Sequence, residues 1–520
     1  MKKTLFYLIL LLPLSAIAQS TDMYFDKGVE LFKNKDYNGA LEYFTKEIEL
    51  NPNNLEAYNY RGAIKGQLGD FKGAIDEFSK EIAINPNADM AYSNRAYAKN
   101  GIKDYKGAIT DCDRAIVMNP KNANAYTNRG NSKIGVGDFT GAIADFNKLL
   151  EFNPGNATAY TNLGNAKNAM ADFKGALEDL NKAIEIDPKI PEAYIDRGLS
   201  KSRLKDPYGA IDDFGKAIAL NPAFGMGYLH RGIEKSELKN YNDALSDFSQ
   251  AIAIDGKDAE AFEKRGALRA KMENYGEAVA DLSQAIALNP QYADAYFDRT
   301  ETKIKLQDND AAIADFTKAI SIAPDYSPAY NDRGIVKASM NDLNGAIADY
   351  NRAIQLTPDL GMACFNRGVA RINLHQNNEA IADFTKTIAL TPDYKEAYYY
   401  RGALNMDMHQ FNSAINDFNK AIDYNFNLQF CYPLRGYAKF ALRNYEGAIA
   451  DLTKAIELNP TNADTYNVRG RVYFMQKNNA AALADWTKAA GLGNKDAVIE
   501  IKMLSQKQKA KHPPGYVEWQ

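Results

Sequence analysis

Cysteine is nearly absent: Cys112, Cys364 and Cys431 are the only three in 520 residues. A chain so poor in thiols does not rest on the disulfide frameworks that hold small secreted domains together. Histidine is equally sparse, with His230, His375, His409 and His512, and no H-E-x-x-H zinc motif contains any of them. The phosphate-cradling G-x-x-x-x-G-K-[ST] loop and the G-x-S-x-G nucleophile turn are missing too. The chain therefore reads as non-catalytic, with no cofactor and no metal. Charge of one sign is also lacking: 62 Lys and Arg against 66 Asp and Glu leave a net charge of -4. That gives no overall basic field for nucleic acid. Beyond residue 18 no stretch is apolar enough to cross a bilayer, so no membrane span is expected in the mature chain.

What is present begins with MKKTLFYLILLLPLSAIAQS, where Lys2 and Lys3 precede an apolar run from Leu5 to Leu14 and then Ala16-Ile17-Ala18. This is the layout of a secretory signal, residues 1–18, cut after Ala18. The run is shorter than the roughly 20 residues that span a bilayer, and no cysteine follows the cut to carry a lipid. The expectation is an exported protein, periplasmic or secreted, of a bacterial cell envelope.

The rest of the chain repeats itself. Tyr-x-x-Arg-Gly recurs at Tyr58/Arg61/Gly62, Tyr126/Arg129/Gly130, Tyr194/Arg197/Gly198, Tyr330/Arg333/Gly334 and Tyr466/Arg469/Gly470, always at multiples of 34. Proline recurs at 52, 86, 120, 154, 188, 222, 290, 324, 358, 392 and 460 without an insertion. With proline at position 32, fourteen repeats fill residues 19–496: 21–54, 55–88, 89–122, 123–156, 157–190, 191–224, 225–258, 259–292, 293–326, 327–360, 361–394, 395–428, 429–462 and 463–496. No room remains for a catalytic domain. A capping helix over 497–511 and a mobile tail, 512–520, complete the expected organisation.

Positions 4, 7, 8 and 11 follow the spacing of one helix face, as do 17, 20, 21, 24, 27 and 28, so each repeat is two amphipathic helices. Position 4 is aromatic except at Cys364, position 8 is glycine except at Ala96 and Thr300, and position 20 is always alanine. Position 24 is mostly phenylalanine, with Trp486 in the last repeat. This pattern resembles the tetratricopeptide repeat (TPR), W-x2-L-G-x2-Y, then A-x3-F, then P. The resemblance covers the mature chain and implies an all-α, right-handed superhelical solenoid of antiparallel helix pairs. One helix pair cannot cover its own apolar faces, so the pairs must stack. In such a stack the closest two cysteines lie two repeats apart, roughly 20 Å at 8–10 Å per helix, whereas a disulfide needs Cα atoms within about 7 Å. All three read as buried free thiols. His375 and His409 share position 15 of adjacent repeats, roughly 10 Å apart, too far for joint metal ligation.

The sequence departs from the TPR signature at position 7, arginine in twelve repeats, and at position 11, lysine or arginine in eleven. A basic stripe along a solenoid suggests phosphate contacts. Position 23 supplies the competing explanation, being aspartate in twelve repeats. A carboxylate there meets a position-7 guanidinium as a bidentate pair. The predicted ladder includes Arg129 with Asp145, Arg197 with Asp213, Arg265 with Asp281 and Arg333 with Asp349, and it argues against nucleic acid. Repeat 1 lacks both partners, with Lys27 and Tyr43, while repeat 5 keeps Asp179 opposite Leu163.

If 4, 7, 8 and 11 face the partner helix, positions 2, 5, 6, 9, 12 and 13 face the opposite, concave wall. In repeats 3 to 5 these present Asn94, Asn128, Asn131, Asn162, Asn165 and Asn168 among serines, threonines and Tyr97, a polar strip without charge. Asparagine at position 6 of consecutive repeats is similar to the ladder in the TPR arm of O-linked N-acetylglucosamine transferase, which implies amides that clasp the backbone of an extended peptide. Asp196, Asp298 and Asp332 interrupt that ladder. The alternative is that these are solvated helix residues. Later repeats place Phe365, Ile372, Tyr399, Tyr400, Met406, Phe430, Tyr437 and Phe440 at equivalent positions. They form either an apolar groove for a protein partner or residues buried by superhelical curvature or the tail.

The function expected is a non-catalytic interaction scaffold of the cell envelope that binds proteins or extended peptides along its concave surface. A structural spacer, or a regulatory or carrier subunit of an envelope enzyme or secretion complex, is the alternative. Partner identity and oligomeric state are not written in the sequence.

Overall fold

The protein is described here by a computed structural model, which covers residues 14–511, with side chains from 23 to 507. The first thirteen residues of the expected signal, and the expected tail at 512–520, lie outside the described residues. Every regular element among the described residues is an α-helix. Each repeat contributes a first helix and a second, as in repeat 4 with Ala123–Gly135 and Phe139–Phe152. The first helix of repeat 1 is longer, Leu14–Lys33, so the expected cut after Ala18 falls inside it.

The local signals for these helices recur with the period. Position 15 of all fourteen repeats has positive φ, yet only Gly69 and Gly137 are glycines. This left-handed residue ends the first helix, and the next backbone N–H closes a six-residue ring to the helix, as Asp138 N–H does to the Lys133 carbonyl at 2.8 Å. The same Asp138 then caps the second helix, its carboxylate accepting from the Gly141 N–H at 2.9 Å. One residue in the left-handed region thus joins two helices with no wasted length. It also explains His375 and His409, which are turn residues with φ of 57° and 59°. The second helix stops where an Asn-Pro pair forces the asparagine out of helical conformation, as at Asn51, φ -130°.

Within a repeat the two helices touch through small residues. The position-20 alanine is fully buried in all fourteen repeats. At position 8 a glycine lets the position-24 ring lie flat on the backbone; a Cβ on Gly62 would sit 2.7 Å from the Phe78 ring. Where Ala96 replaces that glycine, Cys112 replaces the ring, and both are fully buried. Burial pushes the Cys112 thiol up to about 12, and the Cys431 thiol likewise, which leaves both protonated and unreactive.

The chain divides into two compact bodies, one ending at Leu268 and one starting at Arg269. Within each, a second helix packs on the first helix of the following repeat, and first helices of neighbouring repeats also touch one another. First helices therefore have neighbours on three sides, and positions 3 and 10 are buried in repeats 2 to 14 besides the faces expected from periodicity.

Two details stand apart from the regular pattern. The helix Leu428–Ala441 carries Pro433 in its second turn. The closing helix is Lys495–Lys511, and it docks through Ala497 and Leu504 onto Ala482, Trp486 and Ala489. Its far side is less polar than a cap requires, because Val498, Ile499 and Met503 are exposed.

Candidate functional site

The basic stripe is internal. Arg129 places Nη2 2.6 Å from Asp145 Oδ1 and Nε 3.0 Å from Oδ2, while Lys133 reaches Oδ2 at 2.8 Å. Arg197 grips Asp213 at 2.6 and 2.8 Å, with Lys201 at 2.7 Å. Arg333 grips Asp349 at 2.6 and 2.9 Å, with Lys337 at 2.8 Å. Asp281 is joined by Arg269 at 2.5 Å, and Arg265 donates to Ser249 at 3.1 Å. The guanidinium groups of Arg129, Arg197, Arg265 and Arg333 also lie over the position-4 ring of their own helix, 5.5 Å from the centroid for Arg129 over Tyr126.

A further partner was not foreseen from the spacing. The remaining nitrogen, Nη1, crosses to position 25 of the preceding repeat: Arg129 to Asp113 at 2.7 Å, Arg197 to Asn181 at 2.8 Å, Arg333 to Thr317 at 3.0 Å. The signal was present, since position 25 carries Ser, Thr, Asn or Asp in every repeat except at Gly215. Burial disfavours the charge on Arg129, but hydrogen bonds to Asp145 and Asp113 outweigh it and raise its pKa. With most of its donors engaged in this way, the stripe has little left to offer a phosphate.

The opposite face of the first helices is only partly open. Positions 5 and 12 do not point into the open; they wedge between neighbouring first helices, because adjacent helices approach closely there. Asn168 at position 12 donates to the Asp196 carbonyl at 2.9 Å and accepts from Ser200 at 2.7 Å. Asn100 makes the same two bonds to Asn128 and Ser132, at 3.1 and 2.7 Å. Asn128 donates to the Ser93 carbonyl at 2.9 Å. Thus Asn128 and Asn168, expected to face a peptide, hold helices together instead. Asn162 donates to Asn131 at 3.1 Å in an exposed setting, and Asn165 donates to Asp196 at 3.1 Å in a part-buried one. Asn94 makes no hydrogen bond among the described residues and stays at the surface of the strip.

The apolar set divides in the same way. Phe365 packs 5.6 Å from Phe384 and 5.7 Å from Tyr400, ring centre to ring centre. Tyr399 lies 5.8 Å from Phe426. Ile372 joins the cluster around Phe384 and Leu404, and Phe440 the one around Leu452 and Val472. Met406 is only 9% exposed. Neighbouring repeats therefore cover these six side chains, and the groove expected from them is mostly filled by the protein itself. Phe430 and Tyr437 remain open, at 50% and 47% exposure.

Asp196 stands out on this face. Burial pushes its carboxyl up to about 6, against a hydrogen bond from Asn165 that favours the charged form. No helix among the described residues is long and apolar enough to cross a membrane.

Family models described as "TPR repeat" and "Tetratricopeptide repeat" match residues 25–89, 123–156, 157–190, 264–327, 327–360 and 436–491, together more than half of the chain. No curated protein matches it. Among solved structures, it is similar to the APC/C hetero-tetramer Cut9-Hcn1, at 15% identity over 95% of this chain and 98% of that one, TM-score 0.40. It is similar to yeast Tom70 at 18% identity over 82% of this chain and 96% of that one, TM-score 0.35. A tetratricopeptide repeat protein from Parabacteroides merdae matches at 19% identity, over 48% of this chain and 98% of that one, TM-score 0.41.

Proposed function

Because the chain belongs to the tetratricopeptide repeat family, a family of protein-interaction scaffolds, we propose that it is a non-catalytic scaffold of the bacterial cell envelope. It binds extended peptide segments of its partners along the first helices of repeats 3 to 5. One observation carries this reading. The strip formed by Asn94, Asn131, Asn162 and Asn165 presents amides on the open face, and its own strip positions carry no lysine or arginine. A side-chain amide both donates and accepts, so it satisfies a peptide group whatever side chain that group bears. Charged walls select charged ligands; a neutral amide wall selects an extended backbone. Export rests on Lys2, Lys3, the apolar run and Ala16-Ile17-Ala18.

The test is a selection of random decapeptides displayed on phage against the purified chain, followed by titration of the winners. Asn131→Ala with Asn162→Ala is expected to weaken binding at least tenfold while leaving the thermal midpoint unchanged, since neither amide closes a buried bond. Failure to select any peptide, or equal binding by the double variant, would overturn the assignment. Export is checked separately: fractionation should place the protein outside the cytoplasm with Gln19 as its first residue.

A further inference from the structure

The open face of repeats 2 and 3 differs from the rest by one missing side chain. Position 12 carries a side chain in every other repeat, from Phe32, Asn100, Ile134 and Met406 down to Ala270 and Ala338, but in repeat 2 it is Gly66. A longer side chain at this position fills the space between neighbouring first helices, as Asn100 does against Asn128 and Met406 does in its cluster. At Gly66 nothing fills it. What remains is a cleft of about 250 Å³. Its floor includes the Phe78 ring, itself only 2% exposed, on which Gly62 lies so closely that a Cβ there would sit 2.7 Å from it. Ala63 forms the near lip; Asn94 and Tyr97 of repeat 3 form the far wall.

Three features of this cleft point to one kind of occupant. It is smaller than the roughly 300–1,000 Å³ of sites for whole small molecules, so it accommodates a single side chain. Its walls are the rings of Phe78 and Tyr97, the Ala63 methyl, glycine backbone and the neutral amides of Gln67 and Asn94, with no charged group among the lining residues. Tyr97, 53% exposed, stands beside it with its ring edge-on to Phe71 at 6.3 Å, a geometry that leaves a face for another ring. At the mouth sits the unpartnered amide of Asn94, the first member of the neutral strip.

We propose that this cleft is the anchor pocket for an aromatic side chain of the peptide that lies along the strip, with Asn94 holding the main chain beside that residue. The assignment rests on the peptide-binding reading above and adds to it a required residue and a fixed end. The same absence of charge disfavours a lysine or glutamate in the pocket, since burial there would strip its water without supplying a counter-charge.

Gly66 offers a clean test. A Cβ there would meet Tyr97 at 3.7 Å and Ala74 at 3.8 Å, ordinary contact distances, and glycine in a helix interior is unfavourable to begin with. Gly66→Leu should therefore fill the cleft without lowering the thermal midpoint. Decapeptides selected on the unmodified chain are expected to share one Phe, Tyr or Trp. Replacing that residue by Ala should cost roughly ten- to a hundredfold in affinity, the amount full burial of such a side chain supplies. Gly66→Leu should cost the same, and the two changes together no more than either alone. Selected peptides without an aromatic residue, or undiminished binding to a folded Gly66→Leu chain, would overturn the pocket while leaving the strip intact. Indole binding as tightly as the peptides would also overturn it, by marking a small-molecule site. If no peptide is selected at all, the peptide-binding reading falls first and the pocket with it.

Discussion

Arg129 of repeat 4 donates Nη1 to Asp113 of repeat 3 at 2.7 Å with the same guanidinium that grips Asp145 of its own repeat. One planar group thus ties three helices: the first helix that bears it, the second helix of its own repeat and the second helix before. The rigid fork of arginine makes this possible, and lysine could not replace it. Repetition of the arrangement fixes the helix pairs and their neighbours in register.

If the carboxylate is the hub, its loss should cost more than the loss of the arginine. Asp145→Ala leaves Lys133 without its carboxylate and Arg129 with Asp113 alone, in a partly buried site, whereas Arg129→Met leaves Asp145 paired with Lys133. Breaking such a pair from the side with two dependants should cost about 2–4 kcal/mol, against about 1–2 kcal/mol for the other. Amide exchange in repeat 4 is the proper readout, because long arrays do not unfold as one unit. Equal losses would show that the carboxylate holds no special place.

Repeat 5 is a natural deletion of the arginine. Leu163 stands at position 7, fully covered, and Asp179 keeps only Lys167, at 2.6 Å. Burial outweighs Lys167 and raises the pKa of Asp179. With the folded pKa above the unfolded one, the charged form is penalised at neutral pH and the penalty fades as pH falls. Leu163→Arg would find Asn147 and Asp179 at the positions that receive arginine elsewhere. Its stem would retain much of the leucine packing, so stability at pH 7 should stay within about 1 kcal/mol of the parent. The pH response of repeat 5 should reverse, with stability now lost on acidification. A carboxylate titration of Asp179 that does not move downward would refute the placement.

The period, the helix pairs and the Arg–Asp register could be read from sequence because each repeats with no insertion, so one coincidence is tested a dozen times. The open face could not. A helical wheel assumes one buried side, but a first helix in this stack has its own second helix, the preceding one and adjacent first helices around it. Met406, Tyr399 and Asn168 therefore looked exposed on the wheel and lie between helices in the fold. The cleft at Gly66 was invisible for a related reason: a glycine in a helix announces a missing side chain, yet only the neighbouring helix shows what space that leaves.

The position-15 turn carries strain that can be relieved. Twelve non-glycine residues adopt a left-handed φ there, including Ala171 at 60°. An L side chain in that region costs about 1–2 kcal/mol, partly offset by the greater freedom glycine loses on folding. Ala171→Gly should stabilise its repeat by about 0.5–1 kcal/mol, and Lys205→Gly by a similar amount. Thermal or urea midpoints that fall in both variants would contradict this account of the turn.

Asp196 should give the open face a pH dependence. Its carboxyl accepts from the neutral amide of Asn165 on the first helix of repeat 5 and lies near Glu192 on its own helix, while Asn168 binds its main-chain carbonyl. No lysine or arginine pairs with Asp196 among the described residues. The carboxyl shifts from the usual 3.8 to about 6, so the unfolded chain releases this proton at lower pH than the folded one. Stability should accordingly fall as pH rises through about 4 to 6, by about 1–3 kcal/mol after solvent screening, and stay level above. Asp196→Asn keeps an acceptor for Asn165 and removes the charge. It should stabilise repeat 6 by that amount at pH 7.5 and do nothing at pH 4. A gain of equal size at both pH values would show that packing, not ionisation, sets the difference.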